Sequence, residues 1–124
     1  MLFRSSHAEP QRKEKNPLDA WILVQPDGRT ILMVEKCEMG QGIYTGLPRI
    51  LADEAELDWK TVSVQQSLDS SGTGGSGSTS GSYLPLRRAG AIVREAMIGA
   101  AALKWSVPAE SCMARESRDR KSVV

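Results

Sequence analysis

The chain has 124 residues, sixteen of them basic and fifteen acidic, with only six aromatic side chains of the Phe, Trp and Tyr type. That length suits one domain burying roughly two thirds of its unfolded surface, so a core needs neither disulfide nor metal. A charge near neutrality and few aromatics exclude the basic stripe and stacking platform of a nucleic-acid binder.

Residues 1–16 are polar and charged without periodicity, and read as a disordered leader. The opening has no apolar core of an export signal, and no run in the chain approaches the ~20 apolar residues of a membrane span. A cytoplasmic chain without a membrane partner is expected. Cys37 and Cys112 lack metal-ligand spacing and the only histidine is His7, so no protein metal site is expected; one disulfide between the two cysteines stays open but unsupported.

The runs AWILVQ (20–25) and RTILMVEK (29–36) flank Pro26, Asp27 and Gly28, a turn sequence, and predict a β-hairpin. The break CEMGQG (37–42) leads into an amphipathic helix over Thr45–Leu57, capped by Thr45 with Pro48 in its first turn. Ile43, Leu47, Ile50 and Leu57 form its apolar face, and Glu35, Glu38, Asp53, Glu54 and Glu56 read as solvated carboxylates. TVSVQQSL (61–68) predicts a third strand. A second helix is expected over Tyr83–Trp105, capped by Ser82 with Pro85 in the first turn, where GAAA (99–102) would let a neighbour approach closely. Residues 109–124 read as a disordered charged tail. The fold class is α/β (α+β): a ββαβα layer, a small sheet with two helices packed on it, over residues 17–108.

Between the third strand and the second helix stands GTGGSGSTSGS (72–82), with five of the chain's eleven glycines, four serines and two threonines. The ordinary reading of such a tract is a flexible linker. Its position argues otherwise, because strand-to-helix connections usually run a few residues. Ordering eleven such residues costs about 1–2 kcal/mol each in backbone entropy, comparable with the net stability of a domain. The loop is therefore mobile unless a ligand orders it. Bare backbone N–H groups, hydroxyls and the positive end of the next helix suit an anionic or strongly hydrogen-bonding group. A phosphate loop of the Gly-Lys-Ser/Thr type fails for want of lysine. Gly72, Gly74 and Gly77 do satisfy G-x-G-x-x-G, so dinucleotide or phosphate binding stays open. The acidic residue that motif needs would be Glu95, inside a helix, and no further strand completes the unit. The second signal is Gly40-Gln41-Gly42, which presents one amide on bare backbone at a strand end. Both glycine loops leave strands and enter helices, so an α/β layer gathers them on one edge, where ligands bind.

The segment from NPLDAWILVQ through EMGQG to the Gly/Ser tract and RRAGAIVREAMIGAAALKWSV, residues 16–107, closely resembles the molybdenum-cofactor-binding large subunit of the xanthine oxidase and aldehyde oxidase family. The likeness is greatest to beta subunits of the isoquinoline 1-oxidoreductase type. The resemblance implies a molybdenum hydroxylase-type oxidoreductase acting on N-heterocycles or aldehydes, with molybdopterin, in dinucleotide form, and molybdenum as cofactor. It places Gln41, between Gly40 and Gly42, beside the metal, and Thr73, Gly74, Gly75, Ser76, Gly77 and Ser78 at the pterin's pyrophosphate portion. It also implies partners: the remaining domains, or an iron–sulfur subunit that takes the electrons.

Family members are far longer, and nothing here matches the distal motif carrying their catalytic glutamate. No catalytic residue is assigned, and a fragment not competent alone is expected. The alternative is a non-catalytic orphan domain that self-associates through surfaces a longer relative would cover, giving a homo-oligomer.

Overall fold

The computed structural model describes residues 21–67 and 72–121. The expected leader over 1–16 lies outside them. The chain order is β1 (Ile22–Val24), β2 (Thr30–Val34), α1 (Ile43–Glu54), β3 (Val62–Gln66), α2 (Ser78–Trp105), β4 (Cys112–Arg115) and β5 (Arg118–Lys121). The fold is α+β, with a small mixed sheet and two helices.

β1 and β2 form the expected hairpin, with Ile22 opposite Leu32 and Val24 opposite Thr30. Gly28 N closes the turn on Gln25 O at 3.0 Å, while the Asp27 carboxylate accepts from Arg29 N and Nε. β3 joins the other side of β2 in parallel, from Thr30↔Val62 to Val34↔Gln66. Alternation along the strands buries Ile22, Thr30, Leu32 and Val34 together, and the core continues into Ile43, Leu47 and Leu51 of α1 and Leu86, Ala89 and Val93 of α2.

Both helices begin earlier than their sequence signals imply. α1 starts at Ile43 with Gly42 as N-cap, not at a Thr45 cap, and α2 starts at Ser78 with Gly77 as N-cap, not at Tyr83. Pro48 and Pro85 therefore sit inside their helices, each removing one N–H from the ladder. Pro48 is buried, so its ring fills core volume in return. Residues 78–82 of the Gly/Ser tract are helical, which makes α2 ~42 Å long. Each helix ends on a non-glycine residue with positive φ, Glu56 (56°) and Ser106 (53°). Leu57 N returns to Ala52 O and Val107 N to Ala102 O, satisfying the terminal carbonyls.

The closest approach between the helices is at Gly90, where a Cβ would stand 2.6 Å from Leu51 O and 2.9 Å from Glu54 Cβ. In the GAAA segment a Cβ at Gly99 would meet nothing within 4 Å, while Ala101 and Ala102 are buried, away from the crossing with α1. Glu54 bridges the pair: its carboxylate meets Arg87 at 2.8 Å and Arg94 at 3.2 Å, and Arg94 Nη1 also donates to Glu54 O. The expected tail instead forms a 3-10 turn and the β4–β5 hairpin over residues 109–121, while 122–124 lie outside the described residues. The hairpin is anchored at its Glu116-Ser117 turn, where Ser117 N donates to Glu56 O and Ser117 Oγ accepts from Asp58 N. A charged sequence is thus held by long-range bonds that local pattern does not reveal.

Candidate functional site

Parallel pairing puts the C-terminal ends of β2 and β3, Val34 and Gln66, side by side, and both glycine loops leave from that edge. Side chains tie the loops at their bases. Lys36 Nζ donates to Gly72 O at 2.7 Å, and Gln66 Nε2 lies 3.6 Å from Cys37 Sγ. Neither link has a motif signature, since each depends on β2 and β3 being neighbours.

The first loop folds on itself. Gly40 and Gly42 have φ of 94° and 82°, left-handed values that favour glycine, and the reversal they permit delivers Gly42 as the start of α1. Gln41 is exposed, but its amide is turned back: Nε2 donates to Cys37 O at 2.9 Å and Oε1 accepts from Met39 N at 2.6 Å. One amide proton and one lone pair remain for a ligand. Glu38 Oε1 accepts from Gly40 N at 2.8 Å and Gly42 N at 3.0 Å, and Oε2 accepts from Tyr44 N at 3.0 Å. Donation from Tyr44, then Gly42, holds this carboxyl below the usual glutamate range. Glu38 is exposed, as read from the sequence, but its carboxylate also accepts three backbone N–H bonds that the sequence reading did not foresee. Their signal was a glutamate four residues ahead of a glycine N-cap.

In the second loop Gly74 to Gly77 form a turn, closed by Gly77 N on Gly74 O at 3.0 Å, with Gly75 and Ser76 both at φ 56°. Thr73 Oγ1 and Ser78 Oγ share a hydrogen at 2.5 Å. The segment left for a ligand to order is thus shorter than the tract suggests, because 78–82 already belong to α2.

The two helix starts differ in what they offer. No side chain of the N-cap residue caps α2, and no acidic residue lies in its first turn. Its leading N–H groups, beside exposed Thr79 and Ser80, suit an anion. A Cβ added at Gly72, Gly74 or Gly75 would meet nothing within 4 Å, so the backbone is open to close approach by a large group. These residues fit a phosphate-bearing cofactor. The structure joins Thr73, Gly74, Gly75, Ser76, Gly77 and Ser78 in one turn and helix start, and Gly40, Gln41 and Gly42 in the other. Among the described residues no group of three or more His, Cys, Asp or Glu side chains could hold a metal ion, and no helix is long and apolar enough to cross a membrane.

The chain is 36% identical to the beta subunit of isoquinoline 1-oxidoreductase from Brevundimonas diminuta, in an alignment covering 74% of this chain and 13% of that subunit. It is 35% identical to a membrane-bound aldehyde dehydrogenase named for pyrroloquinoline quinone, from Gluconacetobacter polyoxogenes, across 78% of this chain and 13% of that protein. The chain therefore spans about an eighth of the length of these relatives. The family model described as the molybdopterin cofactor-binding domain matches residues 1–122, and the chain belongs to that family.

Proposed function

We propose that this chain supplies part of the cofactor site of a molybdenum hydroxylase-type oxidoreductase that oxidises N-heterocycles or aldehydes. The observation that carries the reading is the meeting of the two glycine loops on one sheet edge, with an uncapped helix start behind the second loop. In this reading the N–H groups and hydroxyls of Thr73, Gly74, Gly75, Ser76, Gly77 and Ser78 hold the anionic portion of molybdopterin, in its dinucleotide form. Gln41 lies beside the molybdenum, with Gly40 and Gly42 fixing its backbone. When bound, the cofactor supplies the metal at which substrate is oxidised. Gln41 offers a hydrogen bond there, and Lys36 keeps the two loops in register by its bond to Gly72 O.

Substrate turnover requires groups outside this stretch, among them an electron-accepting iron–sulfur partner and a base. We place the chain in the cytoplasm, where the exposed free thiol of Cys37 suits a reducing compartment. Two open loops enclose a large anion on one side only, so cofactor held by this stretch alone is held weakly.

Expression in a host that makes molybdopterin, followed by fluorimetric assay of pterin released from the purified chain, tests the reading. Detectable pterin that falls severalfold in Gly74→Asp, but not in the control Gly46→Ala, is expected. A chain that carries no pterin at any cofactor supply, or a Gly74→Asp variant that retains as much, would overturn it.

A further inference from the structure

The two helix starts on the site edge are built alike from glycine, yet one is filled and the other is not. At the start of α1 the N–H groups of Gly40, Gly42 and Tyr44 all point at the Glu38 carboxylate, at 2.8, 3.0 and 3.0 Å. The N–H of Met39 is taken by Gln41 Oε1 at 2.6 Å. Side chains within the loop thus occupy donors that would otherwise make an anion-accepting concavity. The negative charge standing there repels a second anion at contact distance.

The same carboxylate spans the loop that carries Gln41. It bonds on both sides of that residue, at Gly40 and Gly42, and so fixes two peptide units that have glycine's freedom of φ. Gln41 then completes its own fold-back onto Cys37 O. At Gly42 the carboxylate adds to the bonds that the Gly42 carbonyl accepts from Thr45 N and Gly46 N, at 3.1 and 2.9 Å, and at Gly40 it supplies the acceptor for an N–H outside the helix.

We propose that Glu38 is a positioning and specificity residue: its carboxylate closes the start of α1 to anionic ligands and fixes the backbone on which Gln41 is presented. The proposal rests on the reading that Gln41 belongs to the cofactor site, but its test does not depend on the cofactor. The consequence is selectivity between two similar loops. Phosphate-bearing groups are refused beside Gln41, which leaves the amide to a neutral or metal-bound partner.

The test uses the full isotope-labelled chain with sodium pyrophosphate as probe, read at individual backbone amides by NMR. In the wild type, pyrophosphate should leave Gly40, Gly42 and Tyr44 unshifted. In Glu38→Gln and Glu38→Ala the same three amides should respond, with binding there at least about fivefold tighter, the effect of removing one like charge at contact distance in water. Glu38→Gln keeps the side-chain shape, so it carries the test if Glu38→Ala loses the fold. A wild-type response at Gly42 and Tyr44, or a folded variant with no gain there, would overturn the proposal. Amide exchange in the unliganded wild type gives a second reading: slow exchange at Gly42 and Tyr44 supports it, and exchange at the rate of free peptide overturns it. Absence of any response at Ser78–Ser80 would count against the cofactor reading and leave this proposal standing.

Discussion

Two glycines four residues apart answer opposite demands. Gly42 has φ 82° and Gly46 lies in ordinary helix, while a Cβ at either would meet nothing within 4 Å. The difference is therefore in the backbone alone. Gly42→Ala forces a β-carbon into the left-handed region and should cost about 1–2 kcal/mol. Gly46→Ala removes glycine's unfolded-state freedom and should stabilise by about 0.5–1 kcal/mol. Paired urea titrations of the two variants check this, and the same sign in both would refute it.

The carboxylates are equally unlike one another. Glu38 is held low by Tyr44 and Gly42 N–H groups, and Glu54 by its hydrogen bond to Arg87 and then by the charges of Arg87 and Arg94. A carboxyl whose folded value is depressed contributes its stability above the unfolded value and loses it as pH falls through the folded one. Both groups start from an ordinary value of 4.5. Melting temperatures of Glu38→Gln and Glu54→Gln should therefore lie below wild type at neutral pH. The gap should close as pH falls below that value. A gap that persists unchanged into strong acid would mean these bonds contribute nothing through charge.

Among the elements, α1 and α2 are matched at one place. Gly90 lets the α2 backbone lie against Leu51 O, Glu54 Cβ and Ala55 N, two of which are main-chain atoms that move only if α1 moves. Gly90→Ala should push the helices apart and cost about 1–3 kcal/mol, in spite of alanine's better helix propensity. The loss should be cooperative, because the Glu54 bridges to Arg87 and Arg94 flank the same crossing. Thermal unfolding of Gly90→Ala beside Gly99→Ala separates the two effects. Gly99 has open space, so its variant should be neutral or more stable.

At the scale of the whole molecule, α2 is longer than the sheet and helix it packs against can cover. Leu84, Ile92 and Leu103 are exposed, Leu103 by 85%, and fall within about a 100° arc of the helix. These three are the most exposed of the large apolar side chains on α2, with Tyr83 and Met97 half-exposed on the opposite side, and exposed apolar surface of this kind points to a partner. A second copy is the simplest one for this stretch by itself, and a two-fold dimer is expected. Sedimentation at high concentration should show association that Ile92→Lys weakens together with Leu84→Lys. A monomer at every concentration would rule the dimer out.

What the sequence determined by itself was whatever depends on near neighbours. The period-2 runs and the Pro26–Gly28 turn specify the first hairpin, the apolar face of Ile43, Leu47, Ile50 and Leu57 specifies α1, and the two glycine motifs mark the loops. Resemblance across residues 16–107 carried the family. Tertiary structure decided the features that rest on distant partners. Helix starts moved because Glu38, outside α1, accepts from the N–H groups of the N-cap Gly42 and of Tyr44, and because serines 78, 80 and 82 join a helix whose body is packed elsewhere. The charged tail became a hairpin because Ser117 finds Glu56 and Asp58, about sixty residues away. Gly90, not the alanine-rich segment, marks the helix crossing, because close approach depends on where α1 lies and not on local side-chain size. Lys36 reaches Gly72 only because β2 and β3 run parallel. A single chain pattern records its own periodicity, and a hydrogen bond between remote residues leaves no period to read.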